Sequence, residues 1–419
     1  MSTTGTIRAI TASAGLAIAA AAPTALAQCQ AHWEATGGVS GAGAAVGATV
    51  MWDPDGLGPG GPVLVVAGTF SEAGGVPANN IAVWNGFDWS PLGPGINGDV
   101  NALAVRPTGE LVAAGTFTSV GVTSANNIAQ WDGIAWAPLG AGTNNTIFAL
   151  TTLTGGDLVA GGMFNTAGAV TANRVARWNG ASWSAIGGGT GSQVYALAPL
   201  PGNLLVAGGS FQMAEGRQVR YVARWTGTSW LGIGGGMNAA VLSLATLPGG
   251  EIVAGGTFTL PHNKITLWNG SAWTNMGSGT NAQPLAFLPL SNGDLIAAGW
   301  FTFAGGISAN HVARWRDGAW SALGSGVDSY AIALAEMPDG DIAVGGGFTT
   351  AGGLNSPYVA IWEAPCRADF DCDGFVSGVD FDLYVLAFEA GDLTADFDND
   401  GFITGIDYDL YVQAFEAGC

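Results

Sequence analysis

A Gly-x-Phe element recurs through most of the chain, ending at Phe70, Phe117, Phe164, Phe211, Phe258, Phe301 and Phe348. The steps are 47 residues, apart from one of 43 between Phe258 and Phe301. A Trp follows each element (Trp84, Trp131, Trp178, Trp225, Trp268, Trp315, Trp362), and a second lies five residues later at 89, 136, 183, 230, 273 and 320. A period of this size marks a repeated supersecondary unit that cannot bury its apolar surface alone, so neighbouring units must pack on one another. Position 367, where the last second Trp is due, is Arg. The seventh unit is cut short.

Its missing part has a counterpart at the other end of the chain. Trp89 to Phe117 spans 28 residues, whereas Trp33 to Phe70 spans 37, and the excess is the turn-rich stretch Asp53-Pro54-Asp55-Gly56-Leu57-Gly58-Pro59-Gly60-Gly61. Trp33 therefore stands as the second Trp of the unit that begins before Trp362. Within one unit, four strand-like runs appear at Val100 to Val105, Glu110 to Phe117, Asn127 to Asp132 and Ala135 to Leu139. Pro107-Thr108-Gly109, Ser119 to Ser124 and Asp132-Gly133 supply turn chemistry between them. No run here has an apolar spacing of 3.6. Four strands per unit and a split terminal unit predict an all-β chain: a seven-bladed β-propeller of four-stranded blades, closed by strands from both termini. A β-solenoid is the competing architecture, but it has no need of the N-terminus to complete its last repeat.

Composition agrees with buried, charge-poor strands. Of 419 residues, 69 are Gly and only 10% are charged, against about 25% in an ordinary soluble domain. With 31 acidic residues, 11 basic ones and Lys264 as the single lysine, the chain lacks the clustered cations that phosphate neutralisation requires, which excludes a general nucleic-acid binder. Residues 1–27 read as a secretory signal peptide. Arg8 precedes the apolar run Ala9 to Ala22, and Ala25-Leu26-Ala27 offers a small-x-small cleavage site. A secreted, extracellular or cell-surface protein is expected, with no membrane span and a monomeric state. Residues 28–365 form the propeller and residues 366–419 a separate acidic module.

The unit pattern of Gly-Gly on the second strand, an aromatic on the third and a Trp opening the fourth, as in Leu158-Val159-Ala160-Gly161-Gly162 and Val175-Ala176-Arg177-Trp178, resembles the kelch-type propeller repeat.

The module carries two near-duplicate loops. Residues 369–380 read Asp-Phe-Asp-Cys-Asp-Gly-Phe-Val-Ser-Gly-Val-Asp, and residues 396–407 read Asp-Phe-Asp-Asn-Asp-Gly-Phe-Ile-Thr-Gly-Ile-Asp. Oxygen ligands at loop positions 1, 3, 5, 9 and 12, with Gly at 6, suit a hard calcium ion; Asp in place of Glu at 12 is the departure. Each loop runs into a helix-like stretch with aromatics on one face: Phe381, Tyr384 and Phe388, then Tyr408, Tyr411 and Phe415. This duplication resembles a type I dockerin, the calcium-stabilised module that docks onto a cohesin domain, in the bacterial variety ending Gly-Cys, here Gly418-Cys419. The resemblance implies two Ca2+ ions. One would be held by Asp369, Asp371, Asp373, the Phe375 carbonyl, Ser377 and Asp380; the other by Asp396, Asp398, Asp400, the Phe402 carbonyl, Thr404 and Asp407. It also implies partner contact at Gly378-Val379 and Gly405-Ile406, with a cohesin-like domain or cell-surface scaffold as the partner. These positions lack the hydroxyl pairs of many dockerins.

Four cysteines allow three pairings. Propeller closure would bring Cys29 near Cys366, and Cys372 and Cys419 flank the module, so Cys29–Cys366 and Cys372–Cys419 are expected. No catalytic set stands out. His32, His262 and His311 fall in unrelated repeat positions, and no Cys lies between Cys29 and Cys366 to build a galactose-oxidase-like cross-link. Arg177, Arg224 and Arg314 share one repeated slot, where a stem covering the first Trp is expected, and Glu110, Asp157, Glu251, Asp294 and Asp341 share another, assigned to turns. The recurring Trp pairs are assigned to packing between blades. Positions that break the repeat carry more information: Trp300, Met213 to Arg217, the shortened Leu260 to Lys264 loop and Tyr330. The reading is a non-enzymatic propeller binding a glycan or protein. The alternative is a polysaccharide-active lyase or hydrolase, whose His262, Tyr330, Glu215 and Arg217 would have to converge.

Overall fold

The computed structural model describes residues 31–41, 43–56, 58, 60–363, 368–371, 376–397 and 402–417. Residues 1–27, all four cysteines, and Asp373, Phe375, Asp398 and Asp400 lie outside them. Two compact units divide the chain, one within Ala31–Ala364 and one within Pro365–Cys419.

Seven antiparallel sheets of four strands occupy the first unit among the described residues. The third sheet serves as a pattern: Ile147–Thr152, Leu158–Gly162, Val175–Trp178 and Trp183–Ala185, in that spatial order. Its second strand is buried at every position, as are its counterparts Leu111–Gly115 and Ile342–Gly346. Such strands read as continuous small and apolar runs because both faces are covered by neighbouring sheets. Gly sits where the approach is closest. A Cβ on Gly208 would lie 2.5 Å from Val241 Cγ1, and one on Gly345 would lie 2.4 Å from Val46 Cγ1. The Gly-Gly of the repeat is thus a slot for the first-strand Val of the next sheet.

The seventh sheet is completed from the far end of the unit. Its strands Ala331–Glu336, Ile342–Gly346 and Val359–Glu363 are joined by His32–Ala35, which pairs antiparallel with Val359–Glu363. Trp33 stands opposite Trp362, their ring centroids 5.3 Å apart. A core of Val46, Leu64 and Val66 from the first sheet with Ala333, Ala343 and Ile361 from the seventh closes the circle.

Each second Trp fastens its sheet to the one before. Its indole Nε1–H donates to a carbonyl there: Trp89 to Thr36 at 2.7 Å, Trp183 to Leu139 at 3.0 Å, Trp320 to Met276 at 3.0 Å and Trp33 to Leu323 at 3.1 Å. Trp136, Trp230 and Trp273 do the same towards Leu92, Ile186 and Ile233. These rings are buried, so the paired Trp residues hold sheets together. The second Trp of each pair therefore offers no sugar-stacking surface.

Ser119 to Ser124, expected as a plain turn, is a short hairpin of Ser119–Val120 with Thr123–Ser124. Equivalent hairpins follow the second strand of the other sheets, as at Thr166–Ala167 with Val170–Thr171. The fifth sheet has none among the described residues, which accounts for the one 43-residue step.

The second unit contains α1 (Gly378–Ala390), a 3-10 turn (Leu393–Ala395) and α2 (Gly405–Ala417). Ser377 and Asp380 form a capping box at the start of α1, and Gly391 ends it in the left-handed conformation at φ 69°. Tyr384 and Tyr411, both fully buried, stack parallel with centroids 3.7 Å apart and 1° between planes. Their hydroxyls donate to the Ala395 and Ala368 carbonyls, each at 3.4 Å, so each helix anchors the loop of the other repeat. Burial, then the charge of Asp380 and the neighbouring Tyr384, raises the proton affinity of Tyr411.

Candidate functional sites

In the second unit, Asp369, Asp371 and Asp380 each offer a carboxylate oxygen, and these oxygens lie within 4.8 Å of one another. Asp380 is buried and accepts backbone N–H bonds from Phe370 at 2.7 Å, Asp371 at 3.0 Å and Ser377 at 2.8 Å. Burial favours its neutral form, yet these bonds prevail and hold its carboxyl below the ordinary range. Asp407 repeats the arrangement, accepting from Phe397 N–H and Thr404 N–H, both at 2.7 Å. The shorter Asp at position 12 thus ties the loop ends to the first turn of its helix. Ser377 and Thr404 accept from Val379 N–H and Ile406 N–H. Gly378, Val379, Gly405 and Ile406 are exposed, Val379 at 56% and Ile406 at 61%. Two equivalent apolar side chains therefore stand in solvent at the helix starts.

In the first unit, the repeat-breaking residues separate into two kinds. Glu215 accepts from Gly188 N–H at 2.9 Å and Trp230 N–H at 3.1 Å, tying a hairpin to its surroundings. His262 Nε2 lies 3.1 Å from the Trp273 carbonyl, and Arg217 is exposed. No hydrogen bond or ion pair links His262, Tyr330, Glu215 and Arg217 to one another among the described residues. Trp300 and Tyr330, by contrast, meet. Their rings stack with centroids 4.4 Å apart and 29° between planes.

That stack follows from two departures. Trp300 fills the middle position of Gly-x-Phe, and the same position in the seventh repeat is Gly347. A Cβ on Gly347 would lie 2.3 Å from Tyr330 Cζ, so the Tyr ring rests on bare backbone. Trp300 is 47% exposed and Phe303, in the adjoining hairpin, 48%. His311, immediately before the third strand Val312–Arg316, is half-buried with Nδ1 3.2 Å from the Gly299 carbonyl. Burial lowers its pKa against the opposing pull of that carbonyl and Asp328. Asp328 accepts from Thr349 N–H at 2.7 Å and Thr350 N–H at 3.0 Å, and these bonds overcome burial and depress its pKa.

Two of the three repeated arginines are ion-paired. Arg177 pairs with Asp157, and Arg314 with Asp294. Glu110 is bound instead by Arg106 at 3.6 Å. Acid and arginine lie 20 residues apart, the acid immediately before the second strand and the arginine on the third, two register positions from alignment, a relation visible only once the strands are paired.

Comparison with known proteins bears on the first unit. A family described as a domain of unknown function (DUF5122) β-propeller matches residues 290–314. The WD40 β-propeller domain of Doa1 superposes with a TM-score of 0.52 at 15% identity, covering 80% of this chain and 97% of that one. The extracellular domain of BT4673, a one-component system protein of B. thetaiotaomicron, gives 0.52 at 10% identity, covering 81% of this chain and 40% of that one. The first unit is a β-propeller. Identities this low establish the fold alone, and this chain spans about two fifths of the Bacteroides chain. No curated protein matches the sequence. Among the described residues, no helix is long and apolar enough to cross a membrane.

Proposed function

We propose that this is a secreted, non-enzymatic recognition protein: a seven-bladed, kelch-like propeller that presents the Trp300–Tyr330 platform to a glycan, joined to a calcium-loaded dockerin-like module. That module would dock through Val379 and Ile406 onto a cohesin-like domain or cell-surface scaffold. The observation that carries the reading is the gathering of Asp369 and Asp371 beside the buried, backbone-bonded carboxylate of Asp380, repeated in sequence around Asp396 and Asp407. Oxygen-only donors in a tight acidic loop favour calcium over softer metals. On the propeller, an exposed Trp backed by a Tyr offers a flat face to a sugar ring, with polar groups beside it. The same reading pairs Cys29 with Cys366 and Cys372 with Cys419. The lyase or hydrolase alternative lacks support from the geometry of Glu215 and His262, whose polar atoms serve the backbone.

Calorimetric titration of the chelated full chain with calcium tests the module. Two sites are expected, one removed by Asp371→Ala and the other by Asp396→Asn, with helical circular dichroism rising on loading. An unchanged spectrum and unchanged thermal unfolding after chelation would sink the metal reading. Glycan binding that persists in Trp300→Ala would sink the platform, and glycan turnover would favour the enzyme.

A further inference from the structure

The fourth sheet departs from its neighbours around one arginine. Arg177 in the third sheet and Arg314 in the sixth are neutralised by Asp157 and Asp294, and Ser184 and Ser321 stand opposite them on the fourth strand. In the fourth sheet, formed by Val194–Leu200, Leu204–Gly209, Val222–Trp225 and Trp230–Gly232, the acid position is Leu204. The residue opposite Arg224 is Leu231, which is 41% exposed. Two polar partners of the repeat have become leucines while the cation is retained. Among the described residues Arg224 makes no ion pair or side-chain hydrogen bond.

A cavity of about 540 Å³ opens at this place, lined by Leu204, Arg224, Leu231, Ile233, Ile252 and Trp268. Its size lies within the range of small-molecule sites. The walls come from the fourth sheet and, in the fifth, from Ile252 on the second strand and from the first Trp, Trp268. Arg224 is exposed at the edge of this open cleft, whose wall mixes Trp268 and leucine side chains with glycine backbone, and that setting fits a planar anionic head on a flat apolar body. The guanidinium fork accepts a carboxylate through two parallel N–H bonds. Trp268, Leu204 and Leu231 would cover the body.

We propose that this cavity binds an organic monocarboxylate, with Arg224 taking the place at the ligand that its counterparts give to an internal aspartate. The site is independent of calcium and of the Trp300 platform, so its failure would leave the function proposed above untouched.

Isothermal titration of the full chain with 1-naphthoate tests it, beside the uncharged 1-naphthalenemethanol. One site for naphthoate is expected, with binding weaker in high salt and much weaker for the alcohol. Arg224→Gln should lower affinity roughly ten- to hundredfold, the cost of one charge-assisted bond. Leu204→Asp should abolish binding by restoring the ion pair of the third and sixth sheets, with thermal unfolding kept or raised. Arg177→Gln should leave binding unchanged. Equal affinity for the alcohol, no naphthoate binding, or binding indifferent to Arg224→Gln would each overturn the proposal.

Discussion

The strand His32–Ala35 completes the seventh sheet, and Trp33 is its only deeply buried side chain. It is 5% exposed, packs edge-on against Trp362 and donates to the Leu323 carbonyl at 3.1 Å. Trp33→Ala removes that packing and leaves a buried carbonyl without its partner, a loss of about 3–5 kcal/mol. Unfolding entropy of about 2.1 cal/mol/K per residue, taken over Ala31–Ala364, gives roughly 0.7 kcal/mol/K. The midpoint should therefore fall by roughly 4–7 °C. Trp33→Phe keeps most of the ring and loses the N–H, at a cost of about 1–3 kcal/mol. Trp183→Ala, at the equivalent position of the third sheet, should cost about as much as Trp33→Ala by the same argument. The two differ in where the chain opens. Trp33 lies on a strand that reaches the seventh sheet from the other end of the unit, so its loss should expose residues 31–40 to limited proteolysis before global unfolding; Trp183 lies mid-chain and should open only globally. Scanning calorimetry with peptide mapping of the digests reads both. A midpoint shift under about 1 °C for Trp33→Ala, or early cleavage near Trp183 instead of the N-terminal strand, would refute this account of closure.

Two further outcomes follow from the geometry. Burial, with the hydrogen bond and charge of Glu34, pushes Glu363 up to about 7 from an ordinary 4.5, against the opposing charge of His32 at 2.9 Å. The folded chain holds that proton more tightly than the unfolded one, so stability present below pH 4.5 is lost as the pH rises towards 7. Melting temperatures should fall across that window and flatten in Glu363→Gln; an identical slope in the variant would rule out this carboxyl as the source. Gly347→Ala should displace Tyr330 and, because that ring can swing away, move the melting temperature little while weakening glycan binding about tenfold. Unaltered near-ultraviolet circular dichroism in that variant would mean the stack survived.

Much of the fold was legible because the chain repeats. Spacing alone assigned Trp33 to the last repeat, since an insertion in a loop lengthens a step without disturbing the order of marker residues. The hairpins were not legible: two-residue strands such as Ser119–Val120 leave no periodicity, and their Gly and Thr read as turns. The Asp–Arg pairs were also hidden, because partners 20 residues apart meet only through strand register. In the second unit the loop spacing foretold that Asp369, Asp371 and Asp380 would stand together. The Tyr384–Tyr411 stack that couples the two halves needed coordinates, since helical spacing gives the buried face but not which ring meets which.

A repeat supplies its own internal control, and that sharpens what a departure means. When the same slot is filled the same way in several sheets, the residue serves the sheet, as the indole-to-carbonyl bonds show. A slot filled differently has been released from that duty or given another. Glu215 stands where Gly168 stands one repeat earlier, and its carboxylate is spent on two backbone N–H groups, so that change is absorbed by the fold. Leu204 and Leu231 are not absorbed in this way. They leave a retained, exposed arginine without the aspartate that its counterparts have and place leucines beside it, an arrangement that costs the folded chain an ion pair. Trp300 is similar, an exposed indole in a slot that holds Thr in three other repeats. Departures that leave a polar or aromatic group exposed are the first places to test for a ligand, and in this chain they are Arg224 and Trp300.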